Sequence, residues 1–148
     1  MTFRAALDSN ILVYAALEPG SEKGLRAAET IQRATGRGII AVQALLEFVA
    51  VVRRRAPRLN ARAIAQADAW SAVFEIAPTS NLVAATAMTL VRDHQFQVWD
   101  AVIWAASRAA GATLFLSEDL QDGLALDGMR VVDPFKLSEA DLAARLTG

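Results

Sequence analysis

Trp99-Asp100-Ala101-Val102-Ile103-Trp104-Ala105-Ala106 runs on to Ala110, stops at Gly111, and gives way at once to Thr113-Leu114-Phe115-Leu116-Ser117-Glu118-Asp119. The first half reads as a helix, closed by a glycine of the kind that commonly caps helix C-termini. The second reads as a strand, because β-branched and aromatic residues follow that stop directly. Working outward, the same alternation recurs. Phe3 to Leu7, Gly38 to Ala41, Val73 to Ile76 and Met129 to Val132 have strand character. Ile11 to Leu17, Ser21 to Thr35, Val42 to Arg54, Asn60 to Ala72, Asn81 to His94 and a segment begun by Ser138 have helical character. Asn60, Asn81 and Ser138 are the expected N-caps. The helix from Val42 is apolar almost all round and is expected to be buried. Alternation of this kind predicts an α/β fold with a central parallel sheet of about four to five strands, flanked by helices on both faces.

The 148 residues are expected to form one domain, with no repeat or linker between 1 and 148. Hydrophobic residues make up 54%, ample for a core and too many for a disordered chain. The net charge is −1, so any nucleic-acid contact must be local or depend on bound cations. With no cysteine there is no disulfide, zinc-thiolate site or thiol nucleophile. No secretory leader is read at Met1-Thr2-Phe3-Arg4. The most apolar stretch, Gly38 to Val52, is shorter than a membrane span. A cytoplasmic protein without membrane attachment is the expectation.

Four acids stand against apolar sequence. Asp8 follows Phe3-Arg4-Ala5-Ala6-Leu7, Glu47 lies within Ala44-Leu45-Leu46-Glu47-Phe48-Val49, Asp100 opens Ala101-Val102-Ile103, and Asp119 follows Leu116-Ser117-Glu118. A desolvated carboxylate must be paired, protonated or bound to a cation. Singly, Asp8 and Asp100 read equally well as N-caps, and Asp119 as turn chemistry. Glu47 has only Gln43, Ala44, Ala50 and Val51 at helical spacing, none of them a cation. In a parallel sheet the ligand site lies at the carboxyl ends of the strands, where all four could meet.

Order and spacing of these acids resemble a PIN domain, and among PIN domains the VapC-type toxins of bacterial toxin–antitoxin pairs, from Ala6 to Phe135. Leu7-Asp8-Ser9-Asn10-Ile11-Leu12-Val13-Tyr14 resembles the family's opening strand and first acid. Gln43-Ala44-Leu45-Leu46-Glu47-Phe48 resembles the second motif, and Trp99-Asp100-Ala101-Val102-Ile103 the third. Leu116-Ser117-Glu118-Asp119-Leu120-Gln121-Asp122-Gly123 resembles the fourth.

The resemblance implies that Asp8, Glu47, Asp100 and Asp119 form a catalytic quartet holding Mg²⁺ or Mn²⁺, with Asp122 as a further metal ligand. Asn10 and Ser117 would orient the acids or a water on the metal, and Glu118 stays ambiguous. It also implies endonucleolytic cleavage of RNA (tRNA or rRNA in such toxins) to 5′-phosphate and 3′-hydroxyl ends. The implied partners are a VapB-type antitoxin and a second copy of the chain. A groove near Ser9–Leu17 and Ser21–Thr35 would receive the antitoxin.

Arg53, Arg54, Arg55 and Arg58, with Arg62, read either as a solvated helix end or as a contact for RNA or antitoxin. His94, the single histidine, is not expected to catalyse, and Trp70, Trp99 and Trp104 are expected in core or interface. Three rivals stand beside this reading. A non-catalytic PIN-like scaffold that binds RNA or a partner is opposed by the intact quartet. An RNA-processing nuclease that is not a toxin would share the site. A haloacid-dehalogenase-like phosphotransferase would want a second aspartate where Asn10 stands, and a well-placed lysine from Lys23 or Lys136.

Overall fold

Ala5, Ala6 and Leu7 are consecutive apolar residues, and consecutive strand side chains face opposite sides, so both sides of this segment must be covered. In the computed structural model, which describes residues 3–147, they form β1 (Ala5–Leu7), without solvent exposure, inside a six-stranded sheet. The other strands are β2 (Gly38–Ala41), β3 (Glu75–Ala77), β4 (Leu114–Leu116), β5 (Ala125–Leu126) and β6 (Met129–Val132). Their order across the sheet is β3-β2-β1-β4-β6-β5. All neighbouring pairs are parallel except β5 with β6. The helices are α1 (Ser9–Leu17), α2 (Glu22–Ala34), α3 (Val42–Arg55), α4 (Asn60–Val73), α5 (Asn81–His94), α6 (Val98–Ala109) and α7 (Glu139–Arg145).

The α/β class and the covered parallel sheet agree with expectation, but the sheet has six strands rather than four to five. The extra strand, β5, is a two-residue antiparallel edge. It is joined to β6 by Asp127 and Gly128, both at positive φ, the two-residue hairpin turn that Asp-Gly favours. β3 begins at Glu75, later than expected, because α4 continues through Val73 and Phe74 forms its cap.

Two expected caps shift. Asn60 is the first residue of α4 and makes no side-chain cap, since a 3₁₀ turn at Pro57–Leu59 leads straight into the helix. Ser80, not Asn81, caps α5, its Oγ accepting from Val83 N at 3.1 Å. Ser138 caps α7 as expected. α3 is not buried all round: Ala44, Phe48 and Val52 form its inward stripe, while Leu46 is exposed.

The strand order fixes where a ligand can sit. From β1 the chain moves one way to β2 and β3, then returns to place β4 on β1's other side. Strand order therefore reverses between β1 and β4, and the crevice at their carboxyl ends is the natural ligand site of such a sheet. Leu7 pairs with Leu116 there, so Asp8 and Ser117 leave the sheet side by side. Among the described residues no helix is long and apolar enough to cross a membrane.

Candidate active site

Asp8 ends β1 and caps α1, accepting from Ser9 N at 2.7 Å through Oδ1. The same carboxylate looks across the switch point. Ser117 Oγ, itself fully buried, donates to Asp8 Oδ2 at 2.7 Å, and Asn10 Nδ2 reaches the same oxygen at 3.2 Å. Asn10 is turned by its other end, where Glu118 N donates to Oδ1 at 3.2 Å. Its Nδ2 therefore also faces Ser117 Oγ and Asp119 Oδ2, each at 3.2 Å. Asp119 N in turn donates to Ser117 Oγ at 3.0 Å, so the segment after β4 is folded back on the cluster.

Glu47 arrives from α3. That helix starts directly at the end of β2, with no intervening loop, so its second turn lies beside the same edge. Ser9 Oγ donates to Glu47 Oε2 at 3.1 Å. Asp100 comes from the first turn of α6, where a carboxylate suits the helix dipole.

These four acids lie close enough to feel one another's charge. Burial pushes the Asp8 carboxyl up to about 7, opposed by hydrogen bonds from Ser117 and Ser9 and reinforced by Asp100 and Asp119. Burial also raises Asp100, helped by the charges of Asp119 and Glu47. Among the described residues no Lys, Arg or His pairs with any of the four.

The structure thus brings together Asp8, Glu47, Asp100 and Asp119 with Asn10 and Ser117. It adds Ser9, which was not singled out from sequence; its signal was its place between Asp8 and a helix. Asp122 points elsewhere, its Oδ1 accepting from Asp133 N at 2.9 Å. Glu118 also leaves the cluster and pairs with Lys23. Arg53, Arg54 and Arg55 close α3, roughly 9–12 Å along the helix from Glu47 at 1.5 Å per residue. All three are exposed, as are Arg58 and Arg62. His94 is exposed at the end of α5. Trp70 and Trp104 are core residues, but Trp99 is exposed beside Asp100.

Chemically, the site is a half-buried set of hard oxygen donors with no compensating cation. That donor set fits a divalent ion such as Mg²⁺ or Mn²⁺. Among the described residues no three acidic or histidine side chains stand close enough to clasp an ion as they are. The Asn10 amide bridges Asp8 and Asp119, donating to one oxygen of each.

The family model that matches the sequence is that of the PIN domain, over residues 5–121. No curated protein matches it. Several solved structures share the fold. A toxin–antitoxin complex from Klebsiella pneumoniae has 19% identity and a TM-score of 0.69, covering 90% of this chain and 99% of that one. DNA-bound VapBC from Salmonella typhimurium has 17% identity and a TM-score of 0.66, with the same coverage. VapC20 from Mycobacterium tuberculosis, a sarcin-ricin loop cleaving toxin, has 16% identity and a TM-score of 0.63, covering 75% and 86%. At these identities the likeness is one of fold.

Proposed function

The chain belongs to the PIN domain family, and from that premise we propose that it is a metal-dependent endoribonuclease, the toxin of a toxin–antitoxin pair. The observation that carries this reading is the meeting of Asp8, Glu47, Asp100 and Asp119, from four separate elements, at the β1/β4 switch point without a cation. Structural neighbours that are toxin–antitoxin complexes support the toxin role.

Asp8, Asp100 and Asp119 would hold Mg²⁺ or Mn²⁺, with Asp122, bonded to the Asp133 amide, as an outer supporting partner. When bound, the ion supplies charge to offset the phosphate and makes water more acidic. Ser117 and Asn10 keep Asp8 and Asp119 oriented through the hydrogen bonds described. Glu47, held by Ser9, takes the proton of the attacking water. The water oxygen bonds to phosphorus, the bond from phosphorus to the 3′ oxygen breaks, and that oxygen takes a proton from solvent. The products are 5′-phosphate and 3′-hydroxyl ends.

The phosphotransferase rival loses both candidate lysines, since Lys23 is engaged with Glu118 and Lys136 stands near Asp133 on the other side of β4 from Asp8. For the antitoxin we assign a cavity of about 580 Å³ between α1, α3 and α4, with Ala15, Phe48, Val52 and Ala63 in its wall and Arg58 and Arg62 among its lining. This differs from the groove between α1 and α2 expected from sequence, because those two helices pack on each other. The exposed Leu82 and Met88 of α5 and Val98 and Trp99 of α6 are assigned to pairing with a second copy.

Induced expression tests the function. Wild type should arrest growth and Asp8→Asn and Asp100→Asn should not, while the purified protein cleaves RNA and EDTA stops it. Equal toxicity of the variants would remove the catalytic role of the acids. Growth restored by a small protein encoded beside this chain would separate a toxin from an RNA-processing enzyme.

A further inference from the structure

Glu118 lies between two residues of the acid site, yet its side chain turns away from it. Its Oε2 accepts from Lys23 Nζ at 2.6 Å and its Oε1 from Tyr14 OH at 2.9 Å. Lys23 Nζ also reaches Tyr14 OH at 3.3 Å and stands 4.9 Å and 5.3 Å from the ring centroids of Tyr14 and Phe135. Those rings meet edge to face at 5.1 Å. A cation over aromatic faces and beside a carboxylate is attracted by both. Lys23 is one of only two lysines in the chain.

The anchor is firm at its base. Lys23 is in the first turn of α2, where Ser21 caps Gly24 N at 2.9 Å. A β-carbon at Gly24 would fall 1.6 Å from the Glu18 carbonyl oxygen, so only glycine lets this turn press on the end of α1. The other end leads straight to the site. Glu118 N holds Asn10 Oδ1, and Asn10 Nδ2 spans Asp8, Ser117 and Asp119.

We propose that Lys23 and Tyr14 act through Glu118 as positioning residues: they tether the Ser117–Asp119 segment to α1 and α2 so that Asp119 and Asn10 face Asp8. This rests on reading the acid cluster as the RNA-cleaving site. An exposed ion pair adds little to global stability, so the effect of breaking it falls on the site rather than on folding. Displacing a reacting group by even 1 Å is costly in rate.

The test uses the full chain and four variants, Lys23→Met, Glu118→Gln, the two combined, and Lys23→Arg. Lys23→Met and Glu118→Gln should each lower kcat for RNA cleavage on the order of tenfold with KM little changed. The double variant should be no worse than either single, because both break one link. Lys23→Arg, which keeps the charge, should retain most of the rate. In the metal-free protein, the amides of Glu118 and Asp119 should exchange hydrogen faster in Lys23→Met, at an almost unchanged melting temperature. Wild-type kcat together with unchanged exchange would overturn the tether. So would a loss confined to KM, which would make Lys23 an RNA contact. If wild type cleaves no RNA, the nuclease reading fails, and the exchange measurement still decides the tether.

Discussion

Two aspartates are buried just past parallel strands, Asp8 after β1 and Asp133 after β6. Both act as caps. Asp8 accepts from Ser9 N, and Asp133 accepts from Phe135 N at 2.9 Å at the head of the 3₁₀ turn Pro134–Lys136. Burial raises the pKa of both. They differ in company. Asp133 also feels two acids, Glu118 and Asp122, but Glu118 is paired with Lys23, Asp122 accepts from the Asp133 amide, and Lys136 adds a positive charge. Asp8 faces Asp100 and Asp119, with only a hydroxyl and an amide between the acids. A buried acid at a strand end therefore says little by itself. What marks a site is a second and third acid with no cation paired to them among the described residues, brought by other elements to the place where strand order reverses.

The largest contrast should appear in activity. Asp8→Asn should lower RNA cleavage on the order of 10²–10³-fold, the scale of losing one preorganised charge-stabilising group. Asp133→Asn should leave cleavage close to wild type. Comparable losses in both would erase the distinction.

Next in size is the response to pH. Unfolded, Asp8 releases its proton near the ordinary 3.8, whereas folded it holds the proton up to about 7. Between those values the folded state binds more protons, so stability falls as pH rises through that window. Thermal unfolding of metal-free protein should show a loss of a few kcal/mol at most from pH 4 to pH 8, at about 1.4 kcal/mol per pH unit of difference. Asp8→Asn should flatten the profile and Asp133→Asn should leave most of it. Added Mn²⁺ should raise the melting temperature more at the alkaline end. A profile rising with pH would contradict the burial of Asp8.

Asp122 tests the border between the two regions. Its hydrogen bond ties it to Asp133, while motif order ties it to the quartet. Asp122→Asn should cost on the order of tenfold in cleavage, the scale of an outer partner of a metal site. A loss as large as that of Asp8→Asn would make it a full member. The smallest effect is that of Asp133→Ala on stability, about 1 kcal/mol for a lost cap, read from denaturant unfolding.

The acid quartet was legible because each member interrupts an apolar run, and its sheet edge followed from strands alternating with helices. Ser9 was not, since a serine at a helix start is ordinary until Glu47 is brought to it from 38 residues away. Asp133 carries no signal in the sequence for the same reason that Asp8 alone carries little: Asp before a turn is common. β5 escaped because two residues carry no periodicity, although Asp127-Gly128 was a usable hairpin signal. The cap of α5 passed from Asn81 to Ser80 because neighbouring residues with equal capping ability differ only by where the first turn closes. Glu118 is ambiguous in the sequence because the partners that turn it from the acids, Lys23 and Tyr14, lie 95 and 104 residues distant and carry no sequence sign.

The most direct measurement is a calorimetric titration of Mn²⁺ into the metal-free protein near pH 8, in wild type, Asp8→Asn and Asp133→Asn. The account predicts saturable binding in wild type and Asp133→Asn, and its loss in Asp8→Asn. No binding to wild type, or equal binding to all three, would contradict the claim that the acids at the β1/β4 switch point are a metal site.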